Sequence, residues 1–117
     1  MLYNDFFFCE NSVEAYNEYT CTVTFNPAHA IFNGHFPAQP VVPGVCIMEM
    51  VKEIMQLRLG VPLLLSAAPV VKFLRLVLPH YTPRLHIQWQ KKEGQITCNA
   101  NLAFEGQVIF KMNACLS

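Results

Sequence analysis

The chain has 117 residues, 53% hydrophobic and 14% charged, with eight basic residues balancing eight acidic ones. That length fits one domain, residues 1–117, and a mean hydropathy of +0.28 points to apolar surface hidden in an oligomer or around an apolar ligand. Zero net charge without a basic tract excludes a nucleic-acid partner, and no apolar run reaches the length of a membrane span.

The first residues, MLYNDFFFCE, lack a basic leader ahead of the short Phe run, so a cytosolic location is expected. Five cysteines without a C-x-x-C pair argue for reduced, packed thiols rather than a disulfide framework or a zinc site. A weak strand is expected around Phe6 to Glu10. A firmer one follows where Tyr19, Cys21, Val23 and Phe25 alternate with threonines. After a long irregular segment, Val45 to about Leu59 reads as a helix closed by Gly60 and Pro62. Ala68 to Leu78 is β-branched and apolar, which suits a strand buried on both faces, and the Pro79 to Pro83 stretch ends it.

Three alternating runs close the chain: Leu85, Ile87 and Trp89; then Ile96, Cys98, Ala100, Leu102 and Phe104; then Val108, Phe110, Met112 and Ala114. Glu93-Gly94 and Glu105-Gly106 stand between them at hairpin spacing. The order of elements predicts an α+β domain in which one antiparallel sheet wraps a single central helix.

The irregular segment carries the chemistry. GHFPAQPVVPGVCIME, residues 34–49, holds three prolines, two glycines, His35 and Glu49. Pro37, Pro40 and Pro43 restrict the backbone around His35, which favours a positioned side chain. Gly44 opens the helix, where unpaired amides and the positive dipole end stabilise an oxyanion. Glu49 follows by a little over one turn, within reach of the same space. Against this, Glu49, Lys52, Glu53 and Gln56 fall at i, i+3, i+4 and i+7, the spacing of a solvated polar stripe, and a lone loop histidine is more often structural than catalytic.

The pattern H-F-P-x-x-P-x-x-P-G-x-x-x-x-E resembles the signature of the β-hydroxyacyl-acyl-carrier-protein dehydratases, whose hot-dog fold wraps a sheet around one helix. A second stretch, Val71-Lys72-Phe73-Leu74-Arg75-Leu76-Val77-Leu78-Pro79, is similar to a strand of that family, so the resemblance covers about residues 25 to 116. It departs at Ala38, where the family often has glycine, and at His80-Tyr81-Thr82, in place of a G-D-T turn.

The resemblance implies that His35 and Glu49 are catalytic, that the Gly44 N–H binds the thioester carbonyl, and that the Val41 carbonyl orients the histidine ring. It further implies a homodimer, or a dimer of dimers, in which His35 of one chain faces Glu49 of the other. The substrate is then a 3-hydroxyacyl thioester on acyl carrier protein, with phosphopantetheine brought by the substrate and no other cofactor or metal. The product enters fatty-acid or related lipid or polyene synthesis, and the acyl tunnel is lined by Phe32, Phe36, Val45 and Met48.

The rival readings are a hot-dog thioesterase using Glu49 to activate water, and a non-catalytic acyl-binding subunit. Cys46 in the first helical turn is a weaker candidate nucleophile than a packing residue. His29, His35, His80 and His86 show no metal-ligand spacing. Lys72, Arg75, Arg84, Lys91 and Lys92 are candidates for a carrier-docking patch or simple solvated charges.

Overall fold

The computed structural model describes residues 1–33 and 39–117. Its six strands are β1 (Phe7–Ala15), β2 (Glu18–Phe25), β3 (Leu65–Phe73), β4 (Arg84–Lys92), β5 (Gln95–Phe104) and β6 (Gln107–Leu116), with helix α1 (Gly44–Leu59) between β2 and β3. They form one antiparallel sheet in the order β1-β2-β4-β5-β6-β3, and the helix lies at its centre, the hot-dog arrangement expected above.

The meander β4-β5-β6 follows from local chemistry. Both hairpin turns place two residues at positive φ, Glu93 and Gly94 in one and Glu105 and Gly106 in the other. That backbone twist matches the flanking strands, and glycine at the second position adopts it without a Cβ penalty. Leu85, Ile87, Cys98, Ala100 and Leu102 then all point to the buried face. Helix α1 contributes Ile47, Met50, Val51, Ile54 and Met55 to the same core. It ends at Gly60, whose left-handed backbone (φ 69) lets its N–H bond the Gln56 carbonyl at 2.8 Å.

Three expectations are corrected. The strand expected at Ala68 to Leu78 spans Leu65–Phe73 and lies at the sheet edge, with most of its residues exposed rather than buried on both faces. Pro69 explains this, because a residue without N–H cannot serve a central ladder; the pairing with β6 is irregular between Ala67 and Val70. In β6 the alternation breaks at a bulge opposite Leu102 and Ala103, so Ile109 is fully buried while Val108 is exposed. Strand β1 runs on to Ala15 past an irregularity between Glu10 and Val13, where Asn11 takes a positive φ of 50°.

Candidate active site

The N-terminus of α1 is built by its flanks. Pro43 takes an extended conformation (φ −62°, ψ 141°) and no side chain among the described residues caps the helix; the Cys46 and Ile47 N–H groups bond the Pro43 carbonyl at 3.0 and 3.2 Å. Among the described residues, the first turn carries no carboxylate to neutralise the dipole's positive end. The preceding segment is fixed by the Val42 N–H, which donates to the Val77 carbonyl at 2.7 Å, so the stretch after β3 straps down the approach to the helix.

Gly44 is needed for a steric reason as well. A Cβ there would lie 2.6 Å from Cζ of Phe73, whose ring rests on the helix start. Around this point opens an apolar cleft of about 430 Å³, walled by Val41, Pro43, Gly44, Val45, Met48, Phe73, Leu76 and Val77, with Arg75 also in its lining. A smaller cavity of about 190 Å³, lined by Val45, Met48, Glu49, Lys52 and Leu65, shares Val45 and Met48 with it. A third depression of about 410 Å³, bordered by Tyr16, Glu18, Gln88 and Asn99, is polar and far from the helix start in sequence and lining.

Glu49 thus borders a cavity next to the cleft at the helix end. Its carboxylate oxygen pairs with Lys52 Nζ at 3.2 Å, and its side chain is 39% exposed. Burial first, and then the carboxyl of Glu53 one turn on, push it above the ordinary carboxylate range despite Lys52. The Cys46 thiol is also pushed up, by burial and then by the Glu49 charge, so the helix end does not activate it as a nucleophile.

The other expected site residues divide. Val41, Gly44, Val45 and Met48 all line the cleft. Phe32, in a short 3-10 helix at Ala30–Asn33, is buried in the core against Phe6, with ring centroids 5.2 Å apart, and borders neither cavity. His35 and Phe36 lie outside the described residues. Of the basic residues, Arg75 donates to the Tyr81 hydroxyl at 2.9 Å and to Glu105 at 3.2 Å, while Arg84 reaches the Asn11 carbonyl and the Thr20 and Thr22 hydroxyls.

The expected solvated stripe is corrected at two places. Glu53 is 2% exposed, and Gln56 Oε1 accepts the Leu63 N–H at 2.9 Å. The helix spacing carries no signal of this, because the groups that meet Glu53 are the Leu2 and Tyr3 N–H groups, distant in sequence.

The family model for the ApeI-like proteins, described as ApeI dehydratase, matches residues 11–111. The chain belongs to the ApeI-like dehydratase family. Within the wider relationship, the 3-hydroxyacyl-acyl-carrier-protein dehydratase FabZ of Lactiplantibacillus plantarum is 33% identical over 91 residues, which cover 69% of this chain and 60% of that protein's length. The FabZ of Clostridium perfringens is 30% identical over 115 residues, covering 86% and 78%. A chain of the dehydratase heterocomplex ApeI:P from Xenorhabdus doucetiae superposes with a TM-score of 0.73 at 27% identity, over 92% of this chain and 96% of that one. That chain shares the sheet-wrapped helix described above.

Proposed function

We propose that the chain eliminates water from a carrier-linked 3-hydroxyacyl thioester to give the trans-2-enoyl thioester, acting as a homodimer. The observation that carries this reading is Glu49: a carboxyl pushed toward its protonated form, in a cavity that adjoins an apolar cleft at the N-terminus of α1. The acyl chain would occupy the cleft, and the thioester oxygen would accept from the Gly44 N–H, where developing negative charge is stabilised by the dipole.

In this reading His35 takes the α-proton and the C–H electron pair becomes the new double bond. The β C–O bond breaks, and the hydroxyl leaves as water with the proton of Glu49. Proton exchange with solvent then restores both groups. A base near neutral and an acid kept protonated are what such an elimination requires. The Val41 carbonyl would fix the His35 tautomer, with phosphopantetheine arriving on the substrate. Val45, Phe73, Leu74 and Leu76 are 74%, 51%, 56% and 64% exposed beside the free edge of β3, which supports closure by a second copy.

The test is incubation of the pure protein with a 3-hydroxyacyl-carrier thioester, followed by product mass and enoyl absorbance. Loss of 18 mass units (one water, about 18 Da) with rising absorbance is expected, and His35→Ala should reduce it by roughly 10²- to 10⁴-fold with an unchanged melting curve. Free acid instead would make the chain a thioesterase; full turnover in His35→Ala would overturn the mechanism.

A further inference from the structure

Glu53 is a carboxyl side chain at 2% exposure, buried among described core residues that are otherwise hydrophobic. Both oxygens are satisfied by backbone: Oε2 accepts the Leu2 N–H and Oε1 the Tyr3 N–H, each at 2.9 Å. Two charge-assisted bonds from amides make a buried carboxylate tolerable and fix its orientation. The amides are themselves held, because the Leu2 carbonyl accepts the N–H groups of Asp5, Phe6 and Phe7, and the Tyr3 ring packs on Phe7 at 5.5 Å.

Four residues before Glu53 on the same helix face stands Glu49, the distance at which like charges oppose each other. One member of the pair is clamped by backbone donors and the other borders an open cavity, so the adjustment falls on Glu49. We propose that Glu53 is a positioning residue whose clamped carboxylate keeps the proton on Glu49 for the dehydration step. This rests on the reading of Glu49 as the acid.

The direction of Glu49's shift agrees, with burial the first cause, a side-chain hydrogen bond to Glu53 the next, and the Glu53 charge acting the same way. Among the described residues, the charges that bear on Glu49 are Lys52, which opposes the effect, and Glu53. Strand β3 meets its cavity with apolar Leu65, and the N-terminal segment acts through Glu53. In the proposed dimer His35 of the second copy adds a further titrating group, so the measurement must follow Glu49 directly.

A purely structural Glu53 would anchor Leu2 and Tyr3 to the helix and leave Glu49's titration alone. The full chain, labelled with ¹³C at glutamate carboxyls and assigned through Glu49→Gln, is titrated by NMR beside Glu53→Gln and Glu53→Asp. The Glu49 midpoint is expected to move to lower pH in Glu53→Gln and by a smaller amount in Glu53→Asp, which keeps the charge but draws it back. An unmoved or rising midpoint overturns the coupling; if Glu53→Gln does not fold, Glu53→Asp alone decides, on the same criterion.

Turnover of the 3-hydroxyacyl-carrier thioester is then followed against pH. The limb of kcat/KM set by Glu49 should move to lower pH with the NMR midpoint, and Glu53→Gln should lose roughly tenfold at neutral pH, part of what a positioned acid supplies. Full turnover in Glu49→Gln overturns the reading of Glu49 as the acid and with it the catalytic half of the proposal. The NMR midpoint still decides the coupling separately.

Discussion

Strands β5 and β3 belong to one sheet and are both rich in apolar residues, yet β5 buries Ile96, Cys98, Ala100 and Leu102 while β3 leaves Val70 and Phe73 42% and 51% exposed. The difference is position. A central strand is paired on both sides and its inward face is covered by α1; an edge strand interrupted by Pro69 has one free side and a wall of the cleft as its neighbour. Burial inside the chain reports folding, whereas apolar surface left over at an edge reports something the single chain does not supply. Here that surface adjoins the helix start and Glu49's cavity.

The largest effect separates these two strands outright. Leu102→Ala removes a fully buried side chain from the middle of the sheet and is expected to cost about 2–5 kcal/mol by chemical denaturation. Leu74→Ser, just past β3 and 56% exposed, should change the stability of the chain by no more than about 0.5 kcal/mol. It should nevertheless lower the solution mass measured by light scattering from that of a dimer. A loss in the first range for Leu74→Ser, with unchanged mass, would mean that this surface serves the fold and not association.

Those two strands also show how far the sequence could be read. Period-two alternation in β5 is a statement about one buried face, and it held because hairpin turns at Glu93-Gly94 and Glu105-Gly106 fixed the register from both ends. In β3 the apolar run was equally plain, but a continuous run does not distinguish a strand covered by its own chain from one awaiting another surface. Pro69 was the legible clue. The helix followed the same pattern. Its ends and its central place were readable from Pro43, Gly44 and Gly60, while the separation of Glu49 from Glu53 was not, because spacing of 3.6 residues says which side chains share a face and not what covers it. The cover on Glu53 comes from Leu2 and Tyr3, some fifty residues away in sequence. Val41, Gly44, Val45 and Met48, singled out for three different roles, all line one cleft, whereas Phe32 packs in the core, where Phe6 offers it an aromatic contact.

A middle-sized effect tests the contact between the two regions. In Gly44→Ala the new methyl would meet the Phe73 ring well inside van der Waals distance, and the ring, half exposed on the edge strand, is the part able to move. Overpacking of this kind costs about 1–3 kcal/mol where the neighbour is held. A value near the bottom of that range is expected, with a clear loss of turnover because the displaced ring enters the cleft. Gly44→Ala combined with Phe73→Ala should regain stability. Failure of the pair to do so would show that the glycine answers to some constraint other than Phe73.

The smallest effect addresses Glu49, whose pairing with Lys52 suits a solvated helix stripe and whose surroundings suit an acid. The folded-state pKa lies above the ordinary value of 4.5, with burial as its first cause. A carboxyl raised in this way is accommodated best when neutral. Its favourable contribution is complete below 4.5 and is lost as pH rises through the folded-state value. Glu49→Gln removes the titration, so its melting temperature relative to the parent should rise between acid and neutral pH. The size should stay within about 0.5 kcal/mol, since the group is over one-third exposed and solvent screens it. The sign is the discriminating quantity. If the parent instead gains stability over Glu49→Gln as the pH rises, the ion pair with Lys52 governs the site, and Glu49 behaves as the surface charge that its spacing with Lys52 and Gln56 first suggested.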